Sequence, residues 1–371
     1  MKICFVVGTL ARGGAEKQLV FMLRAIKNIG SVAVVLCLTR DEFYEEMIRD
    51  EGVRVLYVGD TRNRFMRSWK IGHAIREMGA DIIQSSHFYT NLYAGLTGRL
   101  LGIPSVGAVR SDLIYEMKSH RITGSLQISL PDLLITNSRI AYQRLLQRGI
   151  DQRKVEFVRN VVEVDDEQSS DQVRPGLKIL FAGRLDENKR PERFVRLASR
   201  LTERYPDHDL QFQIAGDGEK RNELENTARK EMNLGPDRLA FLGDCGRMSD
   251  VYRGADILVS TSDREGTPNV VLEAMVHGIP IVATAVGGTK EILNSSRGFL
   301  VEPNDEAGLL KATTELIQDR DLRLRLGSEG RRYVTENHSL HNLQGQLNKI
   351  YKNLMSKGEQ PKRMPRAGEA E

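Results

Sequence analysis

Two glutamates, eight residues apart, are the pair of side chains in this sequence best placed to do chemistry. Glu265 and Glu273 lie within residues 260–275, STSDREGTPNVVLEAM, where a short apolar strand pattern gives way to a helical one. Eight helical residues rise about 12 Å, which exceeds the roughly 5 to 9.5 Å between the two carboxylates that hydrolyse a glycosidic bond. The spacing therefore predicts that each glutamate binds a different part of one extended ligand.

The residues between the glutamates predict a helix N-terminus that binds an anion. Thr267 is a favourable N-cap and Pro268 suits the first helical position, whereas Gly278 and Pro280 end the helix. The unpaired N–H groups and the positive dipole end of such a terminus, preceded here by Gly266, attract phosphate. We therefore expect phosphate at the helix end and hydroxyl groups of the ligand on either side of it.

A basic loop near the start of the second half supplies two cations for the same ligand. In residues 181–191, FAGRLDENKRP, Gly183 permits close approach of the backbone, and Arg184 and Lys189 can converge on one anion. Two converging cations can neutralise an anionic group such as the phosphate expected at the helix end. A solvated surface loop is the alternative interpretation of this segment taken alone.

The first half offers a glycine-rich loop and several polar residues at the ends of predicted strands. Residues 8–16, GTLARGGAE, do not match G-x-G-x-x-G, which disfavours a nicotinamide cofactor. His87 follows one strand, and Arg110, Ser138 and Asn160 end others. Because ligands of doubly wound sheets bind at the carboxyl ends of the strands, we expect these residues near a cleft between the halves. A purely structural role is the alternative for each.

The quoted motifs together resemble a known family. EGTPNVVLEAM at 265–275, GR-x4-K at 183–189 and GGAE at 13–16 are similar to the signature of the retaining nucleotide-sugar glycosyltransferases of family 4, also called group 1, which have the GT-B fold. The resemblance extends from the first strand to about residue 351, and the GDG turn at 216–218 is a weaker match. Residues 337–340, NHSL, depart from the Phe-x-Trp that many members carry before the last helix.

The resemblance implies a role for each matched residue. Glu265 would contact the hydroxyl groups of the donor sugar, and Glu273 the ribose of the nucleotide. Arg184 and Lys189 would neutralise the departing diphosphate, and His87 would hydrogen-bond the 6-hydroxyl of the sugar or the acceptor. The implied donor-binding residues are Gly13, Gly14, Gly183, Gly216, Gly266, Thr267, Pro268, Asn269, Val270 and Glu273. The acceptor-side candidates are Glu16, Arg110 and Ser138.

No metal or other cofactor is expected. Cys4, Cys37 and Cys245 show no metal-ligand spacing and no disulfide framework, which also favours a reducing, cytoplasmic compartment. Residues 207–209 spell D-x-D but fall between a helix and the start of a strand, at the wrong end of the sheet. The resemblance implies the same, since an arginine and a lysine take the place of a divalent cation in that family.

The elements that must position these residues fall into two α/β halves. A chain of 371 residues, 40% of them hydrophobic, is long enough for two domains with separate cores. Short apolar runs alternate with helical patterns to about residue 164, and the alternation restarts at 177 after a polar stretch. The resemblance implies that these halves are the two facing, Rossmann-like, doubly wound domains of GT-B.

The predicted boundaries follow from the same pattern. Residues 1–165 would form the acceptor-binding domain and 175–337 the nucleotide-sugar-binding domain. A helix at 338–356 is expected to pack back toward the first domain, and a tail at 357–371 to be disordered.

Charge is divided unevenly between these halves. The net charge of +4 comprises +6 in residues 1–165 and −2 in the remainder, so an anionic partner of the first half is expected. Residues 62–70, RNRFMRSWK, mix cations with the single tryptophan and predict either a contact with an anionic membrane or a solvated basic helix face. No nucleic-acid motif is present.

These observations predict an enzyme of hexosyltransferase type. It would move a sugar, with retention, from a nucleoside-diphosphate sugar, UDP rather than GDP, to a saccharide or lipid-linked acceptor in cell-envelope glycan or lipopolysaccharide synthesis. The expected place is the cytoplasm, at the inner face of the membrane. The alternatives are a nucleotide-sugar epimerase of the same fold and a non-enzymatic sugar- or nucleotide-binding protein.

Overall fold

A parallel β-sheet forms in each half of the chain. The computed structural model describes residues 1–61, 63–164 and 176–358, so most of the polar stretch between the halves and of the predicted tail lies outside the described residues. The first sheet has the strand order β3-β2-β1-β4-β5-β6-β7. Its strands are β1 (Lys2–Val7), β2 (Val32–Cys37), β3 (Arg54–Tyr57), β4 (Ile82–Ser85), β5 (Ser105–Val109), β6 (Leu133–Thr136) and β7 (Val155–Phe157).

Helices cover both faces of the first sheet. In β1, Ile3 and Phe5 pack into one core, whereas Cys4 and Val6 pack into another on the opposite face. This alternation explains why the strand is continuously apolar. The helices are α1 (Gly14–Asn28), α2 (Phe43–Asp50), α3 (Arg64–Met78), α4 (Asn91–Leu101), α5 (Leu113–Ser119), α6 (Arg121–Ser129) and α7 (Arg139–Gln147).

The second sheet has the strand order β10-β9-β8-β11-β12-β13. Its strands are β8 (Leu177–Ala182), β9 (Leu210–Ala215), β10 (Leu239–Gly243), β11 (Ile257–Ser260), β12 (Ile281–Thr284) and β13 (Gly298–Val301). The helices that follow are α8 (Pro191–Arg204), α9 (Arg221–Lys230), α10 (Met248–Arg253), α11 (Asn269–Val276), α12 (Thr289–Ile292), α13 (Glu306–Gln318), α14 (Arg320–Asn337) and α15 (Leu340–Gly358). The predicted pair of doubly wound α/β domains is confirmed.

Both sheets reverse their strand order at an equivalent place, beside β1 and β4 in the first and beside β8 and β11 in the second. At such a point the loops that leave the carboxyl ends of neighbouring strands diverge and open a crevice. The glycine-rich loop follows β1, the basic loop follows β8, and the segment with Glu265 follows β11. The topology therefore brings the predicted motifs to the crevices of the two sheets.

The last helix belongs to the core of the first domain although it follows the second. Leu343, Leu347, Ile350 and Leu354 of α15 are buried in the cluster that contains β1 and α1. The fully buried Tyr351 donates a hydrogen bond from its hydroxyl to Gln84 Oε1 at 2.7 Å. The chain thus crosses between the domains twice.

A buried histidine fixes the segment between α14 and α15, where the chain returns to the first domain. It lies at the position where the sequence departs from Phe-x-Trp. His338 is 3% exposed, and its Nδ1 donates to the carbonyl oxygen of Asn160 at 2.6 Å. Its own carbonyl oxygen accepts from the N–H of Val162 at 3.1 Å. Burial lowers the pKa of His338 to about 4, so the ring is neutral at pH 7. His338 therefore makes polar contacts with Asn160 and Val162, in the segment where the chain first crosses between the domains. Many family members have the aromatic Phe-x-Trp at this position instead.

Candidate active site

Two adjoining cavities lie between the domains. One of about 510 Å³ contains Glu273, and the other, of about 840 Å³, contains Glu265 and Lys189. Both are lined by the glycine-rich loop of the first domain and by the basic loop and the start of α11 in the second. The residues that line both are Arg12, Gly13, Gly14, Gly183, Arg184, Asn269 and Val270. An extended ligand could therefore occupy both cavities and cross the loops at their junction.

Lys189 and Glu265 form an ion pair at the wall of the larger cavity. Lys189 Nζ lies 2.5 Å from Glu265 Oε1, and the two side chains are 20% and 10% exposed. The loop is held by Asp186 Oδ1, which accepts from the backbone N–H groups of Asn188 and Lys189 at 3.0 and 2.9 Å. Such partial burial strengthens the field of the pair, because water screens it less. The structure thus places a cation and a carboxylate side by side in the cleft.

Arg184, the other predicted cation, reaches into the space shared by the two cavities. Its side chain is 73% exposed and contacts Asp186 Oδ2 at 3.3 Å. A guanidinium held this loosely can turn toward a ligand at little cost, since an exposed ion pair contributes little free energy.

Glu273 lies in the smaller cavity, where both of its oxygens accept hydrogen bonds. Lys17 Nζ of the first domain is 2.7 Å from Oε1, and the Tyr252 hydroxyl is 2.8 Å from Oε2. Burial and the neighbouring Glu273 raise the pKa of Tyr252 well above its usual value, so its hydroxyl stays protonated and donates. The sequence analysis did not include Lys17 or Tyr252. For Lys17 a signal was available, because it directly follows the GGAE motif.

The prediction that Thr267 caps the signature helix is wrong. Helix α11 begins at Asn269, Pro268 is the N-cap residue, and no side chain caps this end. The Thr267 hydroxyl instead donates to the carbonyl oxygen of Asn137 in the first domain at 2.6 Å. A tertiary hydrogen bond across the cleft thus outcompetes the local cap. The first N–H groups of α11 still have no intrahelical partner, and Val270 borders both cavities.

Two glycines are required by close approach of backbones. A Cβ on Gly266 would lie 2.2 Å from the carbonyl oxygen of Arg110, so the signature loop touches the first domain directly. Gly216 has φ of +135°, and a Cβ there would lie 2.0 Å from the carbonyl oxygen of Gly183. Any side chain at either position would separate these loops.

The amide of Asn269 joins the two domains. Its Nδ2 donates to the carbonyl oxygen of Gly14 at 2.9 Å, and its Oδ1 accepts from Asn160 Nδ2 at 2.8 Å and Gln18 Nε2 at 3.3 Å. Asn160 Nδ2 also lies 3.1 Å from the carbonyl oxygen of Thr267. Asn160 thus lies on the cleft side as predicted and contacts the signature segment. The predicted donor-binding residue Asn269 directs its side chain to the first domain.

Glu16 and His87 form a second close contact between a carboxylate and a side-chain nitrogen in the larger cavity. Glu16 Oε1 lies 2.9 Å from His87 Nε2, and the side chains are 8% and 13% exposed. The N–H of Gly8 donates to His87 Nδ1 at 3.2 Å, so the proton of a neutral ring is on Nε2, directed to Glu16. Both predicted residues therefore reach the cavity, already bound to each other.

The remaining acceptor-side candidates differ in position. Arg110 lines the larger cavity, and burial lowers its pKa to about 10. Its Nη2 contacts Met22 Sδ at 3.1 Å, and within the described residues it forms no ion pair with a carboxylate. Ser138 lines neither cavity; its hydroxyl caps α7 by accepting from the N–H of Ala141 at 3.2 Å. Among the described residues, no group of three or more His, Cys, Asp or Glu side chains could hold a metal ion.

Comparison with known families decides which activity this geometry serves. Residues 12–166 match the family model described as Glycosyltransferase Family 4, and residues 176–319 match the model described as Glycosyl transferases group 1. The chain belongs to the family 4, or group 1, glycosyltransferases.

Glycosyltransferases similar to this chain cover between 39% and 88% of it. One is an α-1,4-N-acetyl-D-galactosaminyltransferase of Campylobacter jejuni that acts on an undecaprenol-diphosphate-linked glycan; it is 27% identical over 342 residues, 88% of this chain and 91% of that protein. The D-inositol 3-phosphate glycosyltransferase of Corynebacterium jeikeium is 28% identical over 78% of this chain and 77% of its own length. A UDP-Gal:α-D-GlcNAc-diphosphoundecaprenol α-1,3-galactosyltransferase of Escherichia coli is 32% identical over 39% of this chain and 37% of its own length.

Two solved structures share the fold of this chain. Anabaena HepE in complex with UDP-glucose superposes with a TM-score of 0.83 at 18% identity over 95% of this chain and all of that one. Staphylococcus aureus TarM, crystallised with UDP and a glycosylated glycerol, gives 0.78 at 12% identity over 94% of this chain and 99% of that one. The glycosyltransferase thus has the GT-B architecture expected from its motifs.

Proposed function

We propose that this glycosyltransferase transfers a sugar from a UDP-sugar to a saccharide or lipid-linked acceptor with retention of the anomeric configuration. The observation that carries the proposal is the placement of the Lys189–Glu265 pair, the open end of α11 and Glu273 along two connected cavities. This order matches the order of groups in a nucleotide sugar, with sugar, diphosphate and ribose in sequence. Membership of the family favours transfer over an epimerase or a non-enzymatic binding protein.

In this proposal each group of the donor has its own partner. The uridine diphosphate lies across Val270 and the first N–H groups of α11, and its ribose hydroxyls donate to Glu273. Lys189 and Arg184 hold the oxygens of the diphosphate, so no divalent cation is required. Glu265 accepts hydrogen bonds from the sugar hydroxyls and fixes the ring.

Reaction then proceeds on one face of the sugar. The bond between the anomeric carbon and the phosphate oxygen breaks, and its electron pair leaves with the UDP. The acceptor oxygen bonds to the same carbon from the side on which the phosphate departs, and its proton passes to a phosphate oxygen. No carboxylate is assigned the role of nucleophile, because Glu265 is paired with Lys189.

UDP is proposed as the nucleotide because relatives are described with it. The E. coli relative uses UDP-Gal, and HepE was crystallised with UDP-glucose. The acceptor class follows in the same way from the undecaprenol-linked substrates of two relatives. We propose cell-envelope glycan synthesis, lipopolysaccharide included, at the inner face of the membrane, with a peripheral membrane contact.

Ligand-dependent thermal unfolding tests the donor assignment. UDP at about 100 times its Kd should stabilise the protein by about 2.7 kcal/mol, whereas GDP at the same concentration should stabilise it less. Transfer from a UDP-sugar to an undecaprenol-diphosphate-linked saccharide, followed by mass spectrometry, should then persist in EDTA. Stabilisation by GDP alone would refute the UDP assignment, and loss of transfer in EDTA would refute the assignment of Lys189 and Arg184.

A further inference from the structure

Three neighbouring helices of the first domain each expose a pair of large apolar side chains one helical turn apart, and α3 exposes Met66 in addition. Helix α4 packs against both α3 and α6 on one side of the first sheet. A spacing of four residues places each pair on the same side of its helix. The exposed side chains are Phe65 (88%) and Trp69 (66%) on α3, Leu96 (37%) and Leu100 (76%) on α4, and Ile122 (90%) and Leu126 (47%) on α6. We call this surface the α3–α4–α6 face.

Single exposed apolar residues are ordinary on a protein surface, but this arrangement is not. Each helix also has a buried side, since Ile71 and Ile75 of α3, Ala94 of α4 and Ile128 of α6 lie in the core. Each helix therefore packs one apolar side against the core of the domain and exposes further apolar side chains to solvent. Such a surface indicates a partner.

The charged side chains on these helices indicate that the partner is anionic. The three helices together carry six lysines and arginines and a single carboxylate, Glu77. Arg64, Arg99 and Arg121 are exposed, whereas Lys70 pairs with Asp60. Helices α4 and α6 contain no acidic residue. The face therefore combines apolar side chains with cations and almost excludes carboxylates, which is the composition that binds an anionic lipid surface.

The face borders the acceptor side of the cleft. Tyr115 and Glu116 of α5 line the larger cavity, and α5 packs against α6. At the start of α6, the ring of His120 lies 6.4 Å from that of Tyr89, which stacks 5.7 Å from His87. A surface that touched Ile122 would therefore lie next to the cavity that contains His87.

We propose that the α3–α4–α6 face docks on an anionic phospholipid bilayer, with the six apolar side chains in the headgroup region and the arginines against lipid phosphates. No helix within the described residues combines the length and the apolar composition needed to cross a bilayer. Docking then supplies the membrane contact and turns the acceptor side of the cleft toward lipid. The docking itself does not depend on the donor, and it rests on the proposed function only for the identity of the acceptor.

Vesicle co-sedimentation of the whole chain tests the proposal. Wild-type protein should bind vesicles of phosphatidylcholine with about 30% phosphatidylglycerol, bind pure phosphatidylcholine at least about tenfold more weakly, and dissociate as salt is raised. Ile122→Glu should reduce binding to the anionic vesicles by at least about tenfold, because it places a carboxylate at the bilayer surface. Phe65→Ser combined with Trp69→Ser should do the same by removing apolar contact.

The control is Leu324→Glu, the same kind of change at a residue of α14 that is 51% exposed on the second domain. It should bind vesicles within about twofold of wild type, since a bilayer contacts the other domain. All variants should keep the wild-type thermal unfolding and its shift with UDP. Equal vesicle binding by the Ile122 and Leu324 variants would overturn the proposal, as would wild-type binding that ignores lipid charge. If the wild-type protein bound no vesicles but self-associated, and Ile122→Glu abolished that self-association, the proposal would be overturned and the face assigned to a second copy of the chain.

The two proposals fail separately. Absence of vesicle binding with an intact UDP shift contradicts only the docking face. Vesicle binding without any nucleotide-dependent stabilisation contradicts only the donor assignment.

Discussion

Replacing Asn269 by leucine tests whether its amide holds the domains in the arrangement that forms the cleft. Leucine has the same number of side-chain heavy atoms as asparagine and the same branching at Cγ, but it neither donates nor accepts a hydrogen bond. The change removes the bonds with Gly14 and Asn160, at 2.9 and 2.8 Å, and the longer contact with Gln18 at 3.3 Å. Asn160 and Gln18 keep other partners, the carbonyl oxygens of Thr267 and Val161. The loss therefore falls on the contact between the domains.

The magnitude follows from the number of bonds lost. Two hydrogen bonds of good length, each worth about 1 kcal/mol net, sum to about 2 kcal/mol. At 1.36 kcal/mol per factor of ten, closure becomes about 30-fold less favourable. If catalysis needs the closed arrangement, kcat/KM should fall by up to about the same factor, because the competent fraction falls with it.

The assays are steady-state kinetics and small-angle X-ray scattering of the donor-free protein. Asn269→Leu should increase the radius of gyration and lower kcat/KM, with little change in the thermal unfolding of the second domain. The control is Asn222→Leu, the same replacement at an exposed position of α9 in that domain. Wild-type kcat/KM together with a wild-type radius of gyration would refute the assignment of Asn269 as a contact that holds the cleft.

Three further predictions concern single side chains. Glu265→Gln should lower kcat by about 10²- to 10³-fold, because it removes a preorganised charge, while UDP still stabilises the protein; activity within threefold of wild type would contradict its role. Arg110→Met should raise KM for a diphosphate-linked acceptor by about 10- to 100-fold, since a charge-assisted hydrogen bond is worth about 1.5 to 3 kcal/mol, and an equal rise in donor KM would place Arg110 elsewhere. The folded-state pKa of His338, about 4, lies below its unfolded value of about 6.5. Between pH 4 and pH 6.5 the unfolded chain therefore binds more protons than the folded chain does. The free energy of unfolding should then fall by up to about 3 kcal/mol as pH drops from 6.5 to 4; His338→Phe should flatten this slope in urea titrations, and an unchanged slope would exclude His338 as its source.

The sequence predicted the repeated α/β architecture well because that information is local. Continuous apolar strands, helical periodicity and glycine-rich turns are set by neighbouring residues, and they placed the loops with Glu265 and Lys189 at the correct ends of their strands. The contact between these two side chains was not predicted; it follows from the observed strand order, in which β8 and β11 are adjacent at the point where the order reverses.

What the sequence could not supply is the set of contacts between distant segments. The capping prediction for Thr267 failed because its hydroxyl binds a carbonyl group 130 positions earlier in the chain. Lys17 reaches Glu273 across 256 positions, and no local pattern encodes that pairing. Asn269 lines both cavities and stays a predicted donor-binding residue, but its hydrogen bond with Gly14 of the first domain was likewise not predicted. The geometry of the cleft depends on how the two domains pack against each other. The hydrophobic periodicity within each domain does not encode that packing.

The central claim, retaining transfer from a UDP-sugar, is tested most directly by the configuration of the first product. Proton NMR of the product formed from a UDP-α-sugar and an acceptor distinguishes the α- from the β-linked glycoside by the coupling constant of its anomeric proton. We predict an α-linkage, formed about 10²- to 10³-fold more slowly by Glu265→Gln. A β-linked product formed at the wild-type rate would contradict the same-face reaction.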